Sequence, residues 1–161
     1  MALNSFALLA LVWGSQAADV SVERAALMQT ACATLVLQYA YSRDRLDYEA
    51  YGSLFTEDAI FEFAGQETRG RKAIVDALKE RGSQMVTRHI STPVAFEPTS
   101  HTEARGVAYL QLYRAPAGGE SPHTYAEPPL IAEYHDEYRV VDSNCRFKAR
   151  RIKLVMSPAN E

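Results

Sequence analysis

The residues best suited to chemistry in this chain of 161 residues are one histidine and a small group of carboxylates distant from it in sequence. His89 lies in "TRHIST", between a run with helical spacing and a run with strand character. Asp44 and Asp47 lie in "YAYSRDRLD", which also contains Tyr39 and Tyr41. A carboxylate that accepts a hydrogen bond from an imidazole N–H fixes the tautomer and leaves the other ring nitrogen able to take a proton. It also stabilises the imidazolium once that forms. This is the orienting half of a catalytic triad without a protein nucleophile. Local sequence leaves either aspartate available, and it equally allows Asp44 a surface pairing with Arg43 or Arg45. Alternation puts Met85, Thr87, His89 and Ser91 on one strand face and Val86, Ile90 and Val94 on the other. The second face is the more apolar, so periodicity alone turns His89 outward, even if a bulge near Pro93 could shift the phase.

The elements that would position these groups are legible. After Ser21, an N-cap type with Glu23 in the first turn, apolar residues recur at helical spacing. Leu27, Ala31 and Leu35 form one row and Met28, Cys32 and Val36 another, which predicts a helix buried around much of its girth. A short helix is expected over "YEAYGSLF", then a strand over "TEDAIFEFAG" stopped by Gly65. "GRKAIVDALKERG" carries the stripe Ile74, Ala77, Leu78 and ends at Gly82. Four strands follow in "MVTRHISTPVAFE", "ARGVAYLQLYR", "LIAEYHDEYRVV" and "CRFKARRIKLVM". Between the second and third of them runs "APAGGESPHTYAEPP", a long Pro- and Gly-rich loop of the kind that is often functional. Helices followed by long strands predict an α+β fold, a strongly bent, mainly antiparallel sheet wrapped around a buried helix, with an open mouth suited to a small apolar ligand.

Bulk composition narrows the classes. A hydrophobic content of 47% and a charged content of 23% are those of a globular protein, and the length suits one domain. A net charge of −3 with mixed signs excludes a nucleic-acid partner as the default. The basic run "RFKARRIKL" alternates like a strand with a solvated face. Cys32 and Cys145 form neither a metal-ligand spacing nor a disulfide framework, and Cys32, in an apolar helical run, is expected as a small core residue. His101, His123 and His135 are dispersed and receive no role, so no metal and no cofactor is expected. Residues 1–18 have an apolar core from Phe6 to Trp13 followed by Ser15-Gln16-Ala17, the layout of a cleavable export segment, although no Lys or Arg precedes it. Residues 19–161 then form the domain, either exported or cytoplasmic. No other stretch is apolar enough to cross a membrane.

Taken in order, "YAYSRDRLDYEAYGSLFTEDAIFEF", "GRKAIVDAL", "TRHIST" and "YHDEYRVVDSNCRF" resemble the SnoaL-like branch of the nuclear-transport-factor-2-like superfamily, over roughly residues 22 to 155. That branch includes scytalone dehydratase, a bile-acid dehydratase and hexachlorocyclohexane dehydrochlorinase. The resemblance implies a cone-shaped α+β barrel, commonly in a homo-oligomer (dimer or trimer), with its site inside the cone. It implies Asp44 and His89 as an acid–base pair. It further implies Tyr39, Tyr134 and Arg150 as substrate-contacting positions. Two departures stand out: Ser143-Asn144-Cys145 replaces the family's Gly and Trp at the last hairpin, and Leu112, beside Gln111, stands where the bile-acid dehydratase has an acid.

The function expected is a cofactor-independent lyase or isomerase, dehydratase-like, acting on a small hydrophobic, ring-bearing substrate. The alternatives are a non-catalytic binding module for a hydrophobic metabolite, and a hydrolase or cyclase using the same dyad.

Overall fold

The computed structural model describes residues 20–125 and 127–157; the proposed export segment lies outside them. Helix α1 (Val22–Arg45) opens on Ser21, whose side chain accepts from the Arg24 N–H, and closes on Leu46 in the left-handed conformation. Helix α2 (Tyr48–Ser53) is capped by Asp47, whose carboxylate accepts from the Ala50 N–H at 3.0 Å. Strands β1 (Phe55–Phe63) and β2 (Gln66–Arg69) form a hairpin, where the sequence predicts a single strand stopped by Gly65. Helix α3 (Arg71–Gly82) buries Ile74 and Leu78. Strands β3 (Met85–Pro98), β4 (Glu103–Pro116), β5 (Leu130–Val141) and β6 (Asn144–Met156) complete the described residues.

All six strands join one curved, unclosed sheet in the order β2-β1-β6-β5-β4-β3. Every pairing is antiparallel except β1 with β6. The sheet curls over α1, and the two sides meet in a core containing Met28, Leu35, Val36, Tyr39, Phe55 and Phe147. The α+β architecture expected from the element order is therefore the one observed. Helix α1 departs from expectation in one respect. Only the face bearing Met28, Cys32, Leu35, Val36 and Tyr39 is buried, and Leu27 and Leu37 are more than half exposed. An unclosed sheet covers one side of a helix, so the helix is amphipathic and not buried all round.

The cysteines correct a second expectation. Cys32 on α1 and Cys145 on β6 form a disulfide, with Cα atoms 5.1 Å apart and a sequence separation of 113. Spacing could not reveal it, because the pairing is made by the fold. Asp142 and Ser143, both at positive φ, form the tight β5–β6 turn that brings Cys145 onto α1.

Two irregularities in the sheet decide which side chains point inward. In β3 the register with β4 shifts between Pro93 and Ala95. Before the shift, Thr87, His89 and Ser91 face the core side; after it, Phe96 does, stacked against the Tyr138 ring at an interplanar angle of 30°. In β6, Phe147 pairs with Tyr138 and Ala149 with Glu137, so Lys148 is the extra residue of a bulge. Beyond it the phase is reversed and Arg150 points inward, opposite Asp136. Regular alternation from Phe147 would have turned Arg150 to solvent.

Candidate active site

The last turn of α1 places Asp44 under the start of β3. Its carboxylate accepts three hydrogen bonds: from His89 Nδ1 at 2.5 Å, from the His89 backbone N–H at 2.8 Å and from the Thr87 hydroxyl at 2.8 Å. The competing candidate, Asp47, is committed to the α2 cap. The pairing of Asp44 with Arg43 or Arg45 does not occur, and the Arg45 guanidinium instead lies over the Tyr41 ring. With Nδ1–H donated to Asp44, the lone pair of His89 is on Nε2, on the far side of the ring.

Burial and hydrogen bonding oppose each other at this pair. Burial pushes the Asp44 carboxyl up, but the hydrogen bonds and charge of His89, with help from Thr87, outweigh it and leave Asp44 below its ordinary value. Burial pushes the His89 imidazole down, more strongly than Asp44 pulls it up, so the ring is held neutral further into the acid range. A neutral imidazole beside an ionised carboxylate is the form required of a proton acceptor at neutral pH.

The three residues proposed for substrate contact lie next to one another. The Tyr39 ring meets the His89 ring edge-on, with centroids 6.2 Å apart. The Arg150 guanidinium carbon sits 4.1 Å from the Tyr39 ring centre and 3.9 Å from those of Tyr134 and Phe147. Arg150 is 0% exposed and Asp136, facing it from β5, 2%. Arg150 Nε and Nη2 donate to the two Asp136 oxygens at 2.8 and 2.7 Å, and the Tyr138 hydroxyl donates to Oδ2 at 2.9 Å. Burial works against the charge on Arg150, but Asp136 more than restores it and the guanidinium stays protonated. Burial, then the neighbouring Tyr39, raises the Tyr134 phenol well above its usual range, so it remains a donor.

Sequence reasoning did not single out Thr87, Asp136, Tyr138, Tyr51 or Arg43 as members of this site. Asp136 had a signal: it interrupts the inward series Ala132, Tyr134, Tyr138, Val140 on β5 with a charge. The departure at Leu112 stands, since Leu112 pairs with His89 across β3 and β4 and supplies no acid there.

The concave side of the sheet, expected as an open mouth suited to a small apolar ligand, carries polar groups as well. Beside the dyad it is filled by aromatic rings and an ion pair, and several polar atoms there have no partner. Arg150 Nη1, the Tyr134 hydroxyl, Ser91 Oγ and Arg43 Nη1 are buried without a hydrogen bond. Each such atom costs on the order of 1–3 kcal/mol when nothing meets it. A cleft of about 200 Å³ opens at the rim, lined by Val86, Thr87, Arg88, Tyr113, His123 and Tyr125, the last two from the long loop. It reaches Thr87, one of the three donors to Asp44. A second cleft, about 380 Å³, lies over Gly106 among outward-facing Arg105, Val107, His135 and Arg151, away from the dyad. Among the described residues, no cluster of three or more His, Cys, Asp or Glu side chains could hold a metal ion. None of their helices is long and apolar enough to cross a membrane.

A helix lying in the hollow of a curved, unclosed sheet is the architecture of the nuclear-transport-factor-2-like class of α+β proteins. The chain belongs to the SnoaL-like family, whose domain model matches residues 24–151. A scytalone dehydratase-like protein of Novosphingobium aromaticivorans DSM 12444 is similar in structure, with TM-score 0.73 and 21% identity over 88% of this chain and 93% of its own. A protein of unknown function from Mycobacterium tuberculosis has TM-score 0.71 and 25% identity over 83% and 75%. Hexachlorocyclohexane dehydrochlorinase LinA-type3 from Novosphingobium barchaimii LL02 has TM-score 0.72 and 15% identity over 86% and 93%. No curated protein matches the chain in sequence.

Proposed function

We propose that this protein is a cofactor-independent lyase of the dehydratase type, with His89 as the base and Asp44 as its orienting partner. The observation that carries this reading is the Asp44 carboxylate held by three donors, two of them from His89 itself. In the proposed step, His89 Nε2 takes a proton from a carbon next to an electron-withdrawing group. The electron pair of that C–H bond becomes the new double bond as the leaving group departs with its own bonding pair. Asp44 stabilises the imidazolium that results. If the proton is returned at another carbon, the same machinery isomerises a double bond. Tyr39, Tyr134 and Arg150, packed beside the dyad, are the proposed substrate contacts.

Family membership and structural neighbours named as a dehydratase-like protein and a dehydrochlorinase support elimination over the other readings. The disulfide supports a location in an oxidising compartment, in line with the export layout of residues 1–18. The test is loss of one water, followed by mass, from a panel of cyclic β-hydroxy carbonyl compounds. His89→Ala and Asp44→Asn are expected to lower turnover about 10²–10⁴-fold while the fold survives. Undiminished turnover in either variant removes the mechanism. A compound recovered unchanged but tightly bound would instead make the domain a binding module.

A further inference from the structure

Arg43 precedes Asp44 on α1 and shares a helix face with Tyr39, four residues earlier. It forms no ion pair among the described residues, and its Nη1 is buried without a partner. The carboxylates of Asp44 and Asp136 have their oxygens engaged by other donors. Asp44 is taken by His89 and Thr87, and Asp136 by Arg150 and Tyr138. Arg150, although neutralised by Asp136, also keeps Nη1 free, and the fully buried Tyr134 hydroxyl beside it is free as well. Tyr39, on the helix face that Arg43 shares, has its ring under the Arg150 guanidinium, beside the Tyr134 ring and edge-on to His89. The protein thus holds two guanidinium groups and a phenol around the dyad, each with an unused donor, and one of the guanidiniums lacks a counter-ion.

We propose that the substrate carries a carboxylate, and that Arg43 is its counter-ion, with Arg150 Nη1 and the Tyr134 hydroxyl as further donors. This rests on the reading of the dyad as the reacting centre and deepens it, changing the substrate from a plain hydrophobe to a ring-bearing acid. Charge-assisted hydrogen bonds to a planar carboxylate are about twice as strong as neutral ones, and guanidinium geometry matches them. An anion bound there also favours the imidazolium, which strengthens His89 as a base. Arg43 is therefore a specificity-determining residue.

The probes are matched pairs: benzoate, phenylacetate and cinnamate against their carboxamides. Binding is measured by calorimetry to the wild-type protein, Arg43→Gln, Arg43→Lys and His89→Ala, with thermal melting as the check on folding. At least one acid is expected to bind wild type about tenfold or more tightly than its amide. The preference should vanish in Arg43→Gln, return in part in Arg43→Lys and persist in His89→Ala. Its persistence in His89→Ala separates recognition from turnover, so the two proposals fail independently. Equal binding within every pair, no binding of any acid, or a preference untouched in Arg43→Gln would each overturn the inference.

Discussion

Asp44 accepts hydrogen bonds from both the side chain and the backbone of His89, one through each carboxylate oxygen. The ring cannot rotate away without breaking a bond that the backbone helps to position, so the tautomer and orientation of His89 are set by one neighbour.

That arrangement fixes the sign of the acid response. His89 titrates below its reference of 6.5 and Asp44 below 3.8. In both cases the unfolded chain binds the proton more readily, so the stability these groups contribute is full above the unfolded values and declines as pH falls. His89 contributes to the loss first, from about pH 6.5 downwards, and Asp44 only below about 4. Chemical denaturation across this range should show the first decline in the wild-type protein and lack it in His89→Ala. In the activity profile, kcat/KM should be flat at neutral pH and fall on an acid limb centred below 6.5. In Asp44→Asn the residual activity should show that limb moved to still lower pH, because the carboxylate that raises the His89 pKa is gone.

The Arg150–Asp136 pair is buried completely on both sides. Removing one partner leaves an uncompensated charge inside the sheet, so Asp136→Ala should cost about 3–5 kcal/mol in chemical denaturation. The double variant Asp136→Leu with Arg150→Met should recover most of that loss while abolishing turnover. Stability and activity would then separate, which a purely structural pair would not produce.

The disulfide between Cys32 and Cys145 closes a loop of more than a hundred residues. Chain-entropy estimates put its contribution at about 4–5 kcal/mol. Cys145→Ser, or reduction of the wild-type protein, should lower the melting temperature accordingly, and mass analysis of the untreated protein should find no free thiol at either position.

The outer face of the sheet exposes Ile90 and Tyr109, diagonal neighbours on β3 and β4, at 53% and 55%. We propose this face as the contact of a homo-oligomer. Light scattering should give a dimer or trimer for the wild-type protein and a monomer for Tyr109→Glu, with the inner site unaffected.

Much of the fold was readable because element type follows local pattern. The N-cap at Ser21, the α3 stripe and all four long strands carry their signals in a dozen residues each. The site was harder to read, since two of its features are set between elements. His89 faces inward although its strand face is the more polar one; Ile90 and Val94, the apolar alternatives, are exposed outside. Periodicity assumes that the inner face is the apolar face, and a site lined with polar groups violates that assumption. The bulge at Lys148 reverses the phase of β6 and delivers Arg150 to the interior, an effect with no local signature. Resemblance pointed to Arg150 and His89 where alternation did not. Asp136 was legible and overlooked.

The parallel joint between β1 and β6 has a temporal consequence. Strand β6 supplies Arg150, half of the disulfide and the partner that holds β1 in the sheet. Antiparallel neighbours can zip up as they leave the ribosome, but β1 must wait some eighty residues for its mate. Until then Tyr39 lacks the Phe147 ring and the Arg150 guanidinium that pack against it, so the inner end of the site is completed only when the last strand docks.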